Sequence, residues 1–130
     1  MATIYLESTL GLSPAELWGK VRDVGAISEM LNFIDQSSLE GDVRSCTVGD
    51  GAEVSELILA IDDDHHRVSY SVTASPFPIE VHAASMQVFP AADGNSTLRW
   101  ITDIKPDGLA DGLGPVLTGA MTDLASRHPG

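Results

Sequence analysis

The segment Glu53–Val72, reading EVSELILAIDDDHHRVSYSV, constrains the fold of this chain more than any other. An apolar run from Val54 to Ile61 meets a charged turn at Asp62–His66, and a second β-rich run, Val68–Val72, follows at once. That is the pattern of a hairpin. Strand side chains alternate between faces, so Val54, Glu56, Ile58 and Ala60 are expected on one side. A carboxylate therefore sits amid apolar neighbours. Glu56 either faces water or lies inside for a purpose.

Other strands extend the pattern. Thr3–Leu10 alternates, with Ile4, Leu6, Ser8 and Leu10 on the apolar side. Phe33–Leu39 reads weakly as a strand, and Val43–Val48 reads better, ending at the turn Gly49-Asp50-Gly51. Beyond the hairpin, Ser75–Pro78 punctuates, Ile79–Phe89 forms a long strand, Pro90–Asn95 turns and Ser96–Ile104 returns. Two short helices interrupt the sheet after the first strand. The first begins at Pro14, with Ser13 as N-cap, Glu16 three residues on, and Leu12 and Leu17 as a hydrophobic staple. The second covers Ile27–Leu31. From Asp107 to His128 the period becomes helical, with Leu109, Leu113, Leu117, Met121 and Leu124 on one stripe. Pro115 and the glycines around it predict a kink there, or a helix that begins there.

These elements make an α+β layout in one domain spanning residues 1–130, a length at which about two thirds of the unfolded surface can be buried. Nineteen acids against seven bases, a net charge of -12 spread along the chain, argue against a nucleic-acid partner. No apolar stretch approaches the roughly 20 residues that span a bilayer. One cysteine, Cys46, excludes an internal disulfide, and the N-terminus lacks a signal-peptide pattern, so a cytoplasmic location is expected. His65 and His66 beside Asp62–Asp64 offer metal-ligand chemistry in an exposed turn, where solvation is the commoner fate; no metal site is assigned. Gly112-Leu113-Gly114 lacks the context of a phosphate loop.

The order of elements, with AELWGKVRD at Ala15–Asp23, GDVR at Gly41–Arg44, VSEL at Val54–Leu57, the turn aspartates, VSY at Val68–Tyr70 and LRW at Leu98–Trp100, resembles the SRPBCC polyketide cyclase/dehydrase family of the START/Bet v 1-like helix-grip superfamily. The resemblance implies a curved antiparallel sheet wrapped around the long C-terminal helix, with an internal cavity for an apolar small molecule and no cofactor. In the plant abscisic-acid receptors, similar at S-E-L and the following aspartates, the glutamate matching Glu56 faces the ligand pocket. Their Ser-Gly-Leu-Pro-Ala gate and His-Arg-Leu latch are absent here, which leaves a hormone-receptor role poorly supported.

Strand parity independently nominates the residues of the cavity. Folding about Asp63-Asp64 sets Tyr70 opposite Glu56 or Ile58; folding about Pro76 brings His82 near Tyr70; folding about Ala92 brings Thr102 or Trp100 near His82. Glu56, Tyr70, His82 and Trp100 are then expected as one polar and aromatic row. Arg44 and Cys46 join that face, with Val48, Val54, Ile58, Val72, Ala84, Met86 and Leu98 as apolar wall and Leu113, Leu117 and Met121 of the last helix opposite. Two functions fit. In one, a metal-free enzyme cyclises or dehydrates a carbonyl substrate: His82 is the general base or acid, Glu56 orients it or shares its proton, Tyr70 polarises the substrate oxygen and Arg44 holds an acidic group. In the other, the same row recognises a lipid or polyketide ligand in a carrier module, Glu56 and Arg44 forming a structural ion pair. A monomer or homodimer is expected.

Overall fold

The computed structural model describes residues 1–130. Strand β1 (Ala2–Leu10) leads into helix α1 (Pro14–Arg22), a single 3-10 turn at Val24–Ala26, and the one-turn helix α2 (Ile27–Met30). Strands β2 (Ile34–Glu40), β3 (Val43–Val48), β4 (Ala52–Asp62), β5 (Arg67–Ala74), β6 (Val81–Pro90) and β7 (Ser96–Lys105) follow, and helix α3 (Leu109–Arg127) closes the chain. All seven strands form one antiparallel sheet in the order β1-β7-β6-β5-β4-β3-β2.

The start of α1 is built as the sequence requires. Ser13 Oγ accepts the Glu16 N–H and Glu16 Oε1 accepts the Ser13 N–H, each at 3.1 Å, so two otherwise orphaned donors are satisfied reciprocally. Leu17, Trp18 and Val21 turn inward. Trp18 also donates from Nε1 to Asp63 Oδ1 at 3.0 Å, and Arg22 donates from Nε to the same oxygen at 2.9 Å. The turn aspartate thus ties α1 to the β4–β5 hairpin.

Three expectations are corrected. Helix α3 begins at Leu109 and not at Pro115, which lies inside it, so of the two expectations for this helix the later start is the one overturned. Asp111 and Pro115 lie on its exposed face, so the carbonyl deprived of a donor can turn to water. Strand β6 begins at Val81, because Ile79 is held in a tight turn by its N–H donating to Phe77 O at 2.8 Å. Ala60 leaves the face it was expected to share: Ile58 pairs with Tyr70 but Ala60 with Ser69, so Leu59 is an extra residue that reverses parity.

Leu117, Ala120, Met121 and Leu124 of α3, Leu17, Trp18 and Val21 of α1, and inward residues of the sheet form one buried apolar cluster. Helix α1 packs over β5 and β6, and α3 over β1 and β7. The β3–β4 hairpin, the β5–β6 connection and the β7–α3 connection lie together at the other end of the sheet, because the strands alternate in direction.

Candidate functional site

Cross-strand pairing stacks the concave face in layers. Nearest the β3–β4 hairpin, Val48 pairs with Ala52 and Cys46 with Val54. Below them Arg44 pairs with Glu56, and Glu56 with Val72. The next layer runs Ile58, Tyr70, Ala84, Thr102 and Ile4, and the next Val68, Met86, Trp100 and Leu6. Val48, Val54, Val72 and Leu113 are half-buried, whereas Ile58, Ala84, Met86, Leu98, Trp100, Thr102, Leu117 and Met121 are buried. Inward residues that still reach solvent mark where the concave face opens. On β3, β4 and β5 these residues lie towards the hairpin end, the mouth, at and above the level of the polar layer, while Ile4, Leu6 and Ser8 of the edge strand β1 are half-buried along its length.

The polar cluster is held from several elements. Arg44 Nε donates to Glu56 Oε1 at 2.8 Å and Nη1 to the Val24 carbonyl at 3.2 Å, the Arg44 side chain being only 3% exposed. Its guanidinium carbon lies 4.8 Å from the Tyr70 ring centroid, a cation–π geometry. Cys46 Sγ donates weakly to the same Glu56 oxygen at 3.6 Å. Burial, reinforced by the Glu56 charge, pushes the Cys46 thiol up to about 12, which leaves it a neutral hydrophobe rather than a nucleophile. Trp100 Nε1 donates to the Tyr70 hydroxyl oxygen at 2.9 Å. Burial, with Glu56 adding to it, raises the Tyr70 phenol well above its ordinary value, so it is a neutral donor.

His82 adjoins this cluster, its ring centroid 5.9 Å from that of Tyr70. Between β5 and β6 the ladder stops at the pair Tyr70–Ala84. Beyond it the Val72 N–H donates to His82 Nδ1 at 3.0 Å, and the Ser71 hydroxyl donates to the His82 carbonyl. A side chain replaces the missing rung. Since Nδ1 accepts, the neutral ring carries its proton on Nε2. Burial holds the His82 pKa below its ordinary value, against an opposing pull from Glu56. His82 Nε2 and Glu56 Oε2 have no protein partner, and neither is sealed from solvent.

The expected straight row is therefore a bent cluster. Tyr70 faces Ile58, the second of its two expected partners, and His82 faces Ile104, while Thr102 lies across from Ala84 and Trp100 from Met86. Trp100 joins the cluster by its hydrogen bond to Tyr70 instead of by contact with His82. Ser71 and the Val24 carbonyl were missed. Parity assigns Ser71 to the outer face, and no side-chain pattern can report a carbonyl.

A profile described as polyketide cyclase/dehydrase and lipid transport matches residues 1–127. The chain belongs to that family. Among curated proteins no sequence matches it. Among solved structures, it is similar to the protein XoxI of Bacillus cereus (22% identity, TM-score 0.91, covering 98% of this chain and 96% of that one). A Thermobifida fusca protein is similar at 26% identity and TM-score 0.82, covering 98% and 93%. Ara h 8.0201 is similar at 21% identity and TM-score 0.72, covering 96% and 95%. The family's fold, a Bet v 1-like helix grip, is the one the strand order describes. Family membership implies a hydrophobic ligand. No helix of the chain is long and apolar enough to cross a membrane.

Proposed function

We propose that this protein binds an apolar carbonyl compound in its concave interior and catalyses a cofactor-free proton transfer on it, as in aldol cyclisation or dehydration. The observation that carries the reading is a pair of preset donors. Trp100 fills an acceptor site of the Tyr70 oxygen, leaving the O–H to donate, and Val72 fills His82 Nδ1, leaving Nε2–H to donate. Two fixed donors suit the oxygen of a carbonyl that becomes an enolate. Glu56 Oε2 is the nearby acceptor for the α-proton. The enolate carbon then attacks a second carbonyl, or a β-hydroxyl departs as water with the proton returned. His82 as base would require the other tautomer and would leave the Val72 N–H without its acceptor. The donor role replaces it.

The Arg44–Glu56 ion pair favours a second reading. In it the carboxylate serves to anchor the buried guanidinium, and the same donors recognise a carbonyl ligand that leaves unchanged. A cytoplasmic location belongs to either reading, in keeping with a lone buried cysteine. Incubation with 4-hydroxydecan-2-one, followed by mass spectrometry, separates the two. The enzyme reading expects loss of water with the wild type and binding without conversion with Glu56→Gln. Bound but unaltered hydroxyketone with the wild type returns the carrier.

A further inference from the structure

Resting on the carbonyl-binding reading above, we infer that the ligand of this site is an uncharged, free molecule, neither a carboxylic acid nor an acyl group borne on a phosphorylated carrier. Two independent features of the molecule point there. The first is the fate of the only interior cation. Arg44 spends Nε on Glu56 and Nη1 on the Val24 carbonyl, with its face against Tyr70. The interior is neutral as built. Arg44 Nη2 is the one guanidinium nitrogen without a protein partner, but its charge is already balanced by Glu56, so a ligand carboxylate brought into this layer would leave it with a net charge of about -1, a penalty at low dielectric.

The second feature is the charge around the mouth. Asp50 in the β3–β4 hairpin, Glu53 beside it, Glu80 in the β5–β6 connection, and Asp107 and Asp111 where α3 begins are all exposed. Against these five acids stand two cations. Lys105 Nζ lies 4.0 Å from Glu80, and the chain's N-terminal amine lies 3.2 Å from Asp107. The positive end of the α3 dipole also points to this end, but Asp107 and Asp111 flank it and offset it. A net negative rim depletes anions from the opening and leaves neutral molecules unaffected. It turns away phosphate-bearing carriers most strongly of all.

The geometry also bounds the length. From Ala52 at the mouth to Glu56 is four residues of β4, which at about 3.3 Å each is roughly 13 Å. A polar head at Tyr70 and His82 with an apolar tail of that reach passes Val54 and Val72 on the way in. Head-first binding places the neutral oxygen in the donor layer and the tail at the half-buried valines.

Two probes of equal length test this: 2-decanone and decanoate, titrated calorimetrically into the full chain at pH 7.5. At 20 mM NaCl the ketone is expected to bind at least about tenfold more tightly than the acid, and the gap to narrow at 500 mM NaCl as the rim is screened. The triple variant Asp50→Asn/Glu53→Gln/Asp111→Asn should narrow it at low salt as well. Equal or tighter binding of decanoate overturns the inference while leaving the site's function standing. A gap indifferent to both salt and the triple variant removes the rim from the account. Binding of neither probe removes the proposed function and this inference together.

Discussion

His82 and Val72 are joined across the gap where the β5–β6 ladder ends, the Val72 N–H donating to the imidazole Nδ1 at 3.0 Å. One contact thus does two things. It closes the seam of the sheet nearest the mouth, and it fixes the tautomer of the only histidine in the buried cluster.

The burial of His82 makes stability depend on pH. Burial lowers the folded-state pKa of His82 below 6.5, so the unfolded chain takes up a proton first as the medium becomes acidic. Stability is full above about pH 6.5 and falls as pH drops from there towards the folded-state value, below which this contribution levels off. Urea unfolding of the wild type and His82→Gln at steps from pH 8 to pH 5 reads it. The wild type should lose stability relative to the variant below about pH 6.5; parallel curves would dismiss the assignment.

The Trp100–Tyr70 hydrogen bond is buried at both ends. Tyr70→Phe strands the indole N–H and should cost about 1–3 kcal/mol. Tyr70→Phe/Trp100→Phe should cost less than the two single changes summed, because the second removes the stranded donor. Additive losses in chemical denaturation would show the bond to be idle. In the enzyme reading, Tyr70→Phe also lowers turnover by about a hundredfold.

Arg44 and Glu56 share a buried ion pair. Arg44→Met leaves a carboxylate uncompensated inside the cluster and should cost roughly 3–5 kcal/mol, whereas Arg44→Met/Glu56→Leu should recover most of the loss. The double variant would bind ligand without converting it. A single Arg44→Met with wild-type stability would mean that the pair is not buried in solution.

Cys46 is 4% exposed, with its thiol pushed up to about 12. Iodoacetamide at pH 8 should leave it unmodified in the native protein and alkylate it once guanidinium chloride is added. Mass spectrometry counts the adduct, and rapid native alkylation would contradict the inert thiol.

Local chemistry made much of the architecture readable. The capping box at Ser13–Glu16 and the turn at Gly49–Gly51, where both glycines adopt positive φ, are written in residues that serve few other purposes. The hairpin was equally plain, because apolar alternation on both sides of a charged turn admits few alternatives, although Asp62 pairs with Arg67 and so centres it between Asp64 and His65, one residue beyond the expected centre. What parity could not see were the irregularities. The bulge at Leu59 turned Ala60 away, and the early end of the β5–β6 ladder turned a backbone rung into a bond to His82.

The sequence by itself determined that Arg44, Cys46, Glu56, Tyr70 and His82 share the concave face, since period-two alternation is a property of each strand alone. Only the tertiary structure decided which of them touch. Register, bulges and the approach of the Val24 carbonyl set those contacts, and they depend on how strands distant in sequence come to lie side by side. Glu56 was legible as an acid inside an apolar face; that Arg44 holds one of its oxygens and leaves the other free was not.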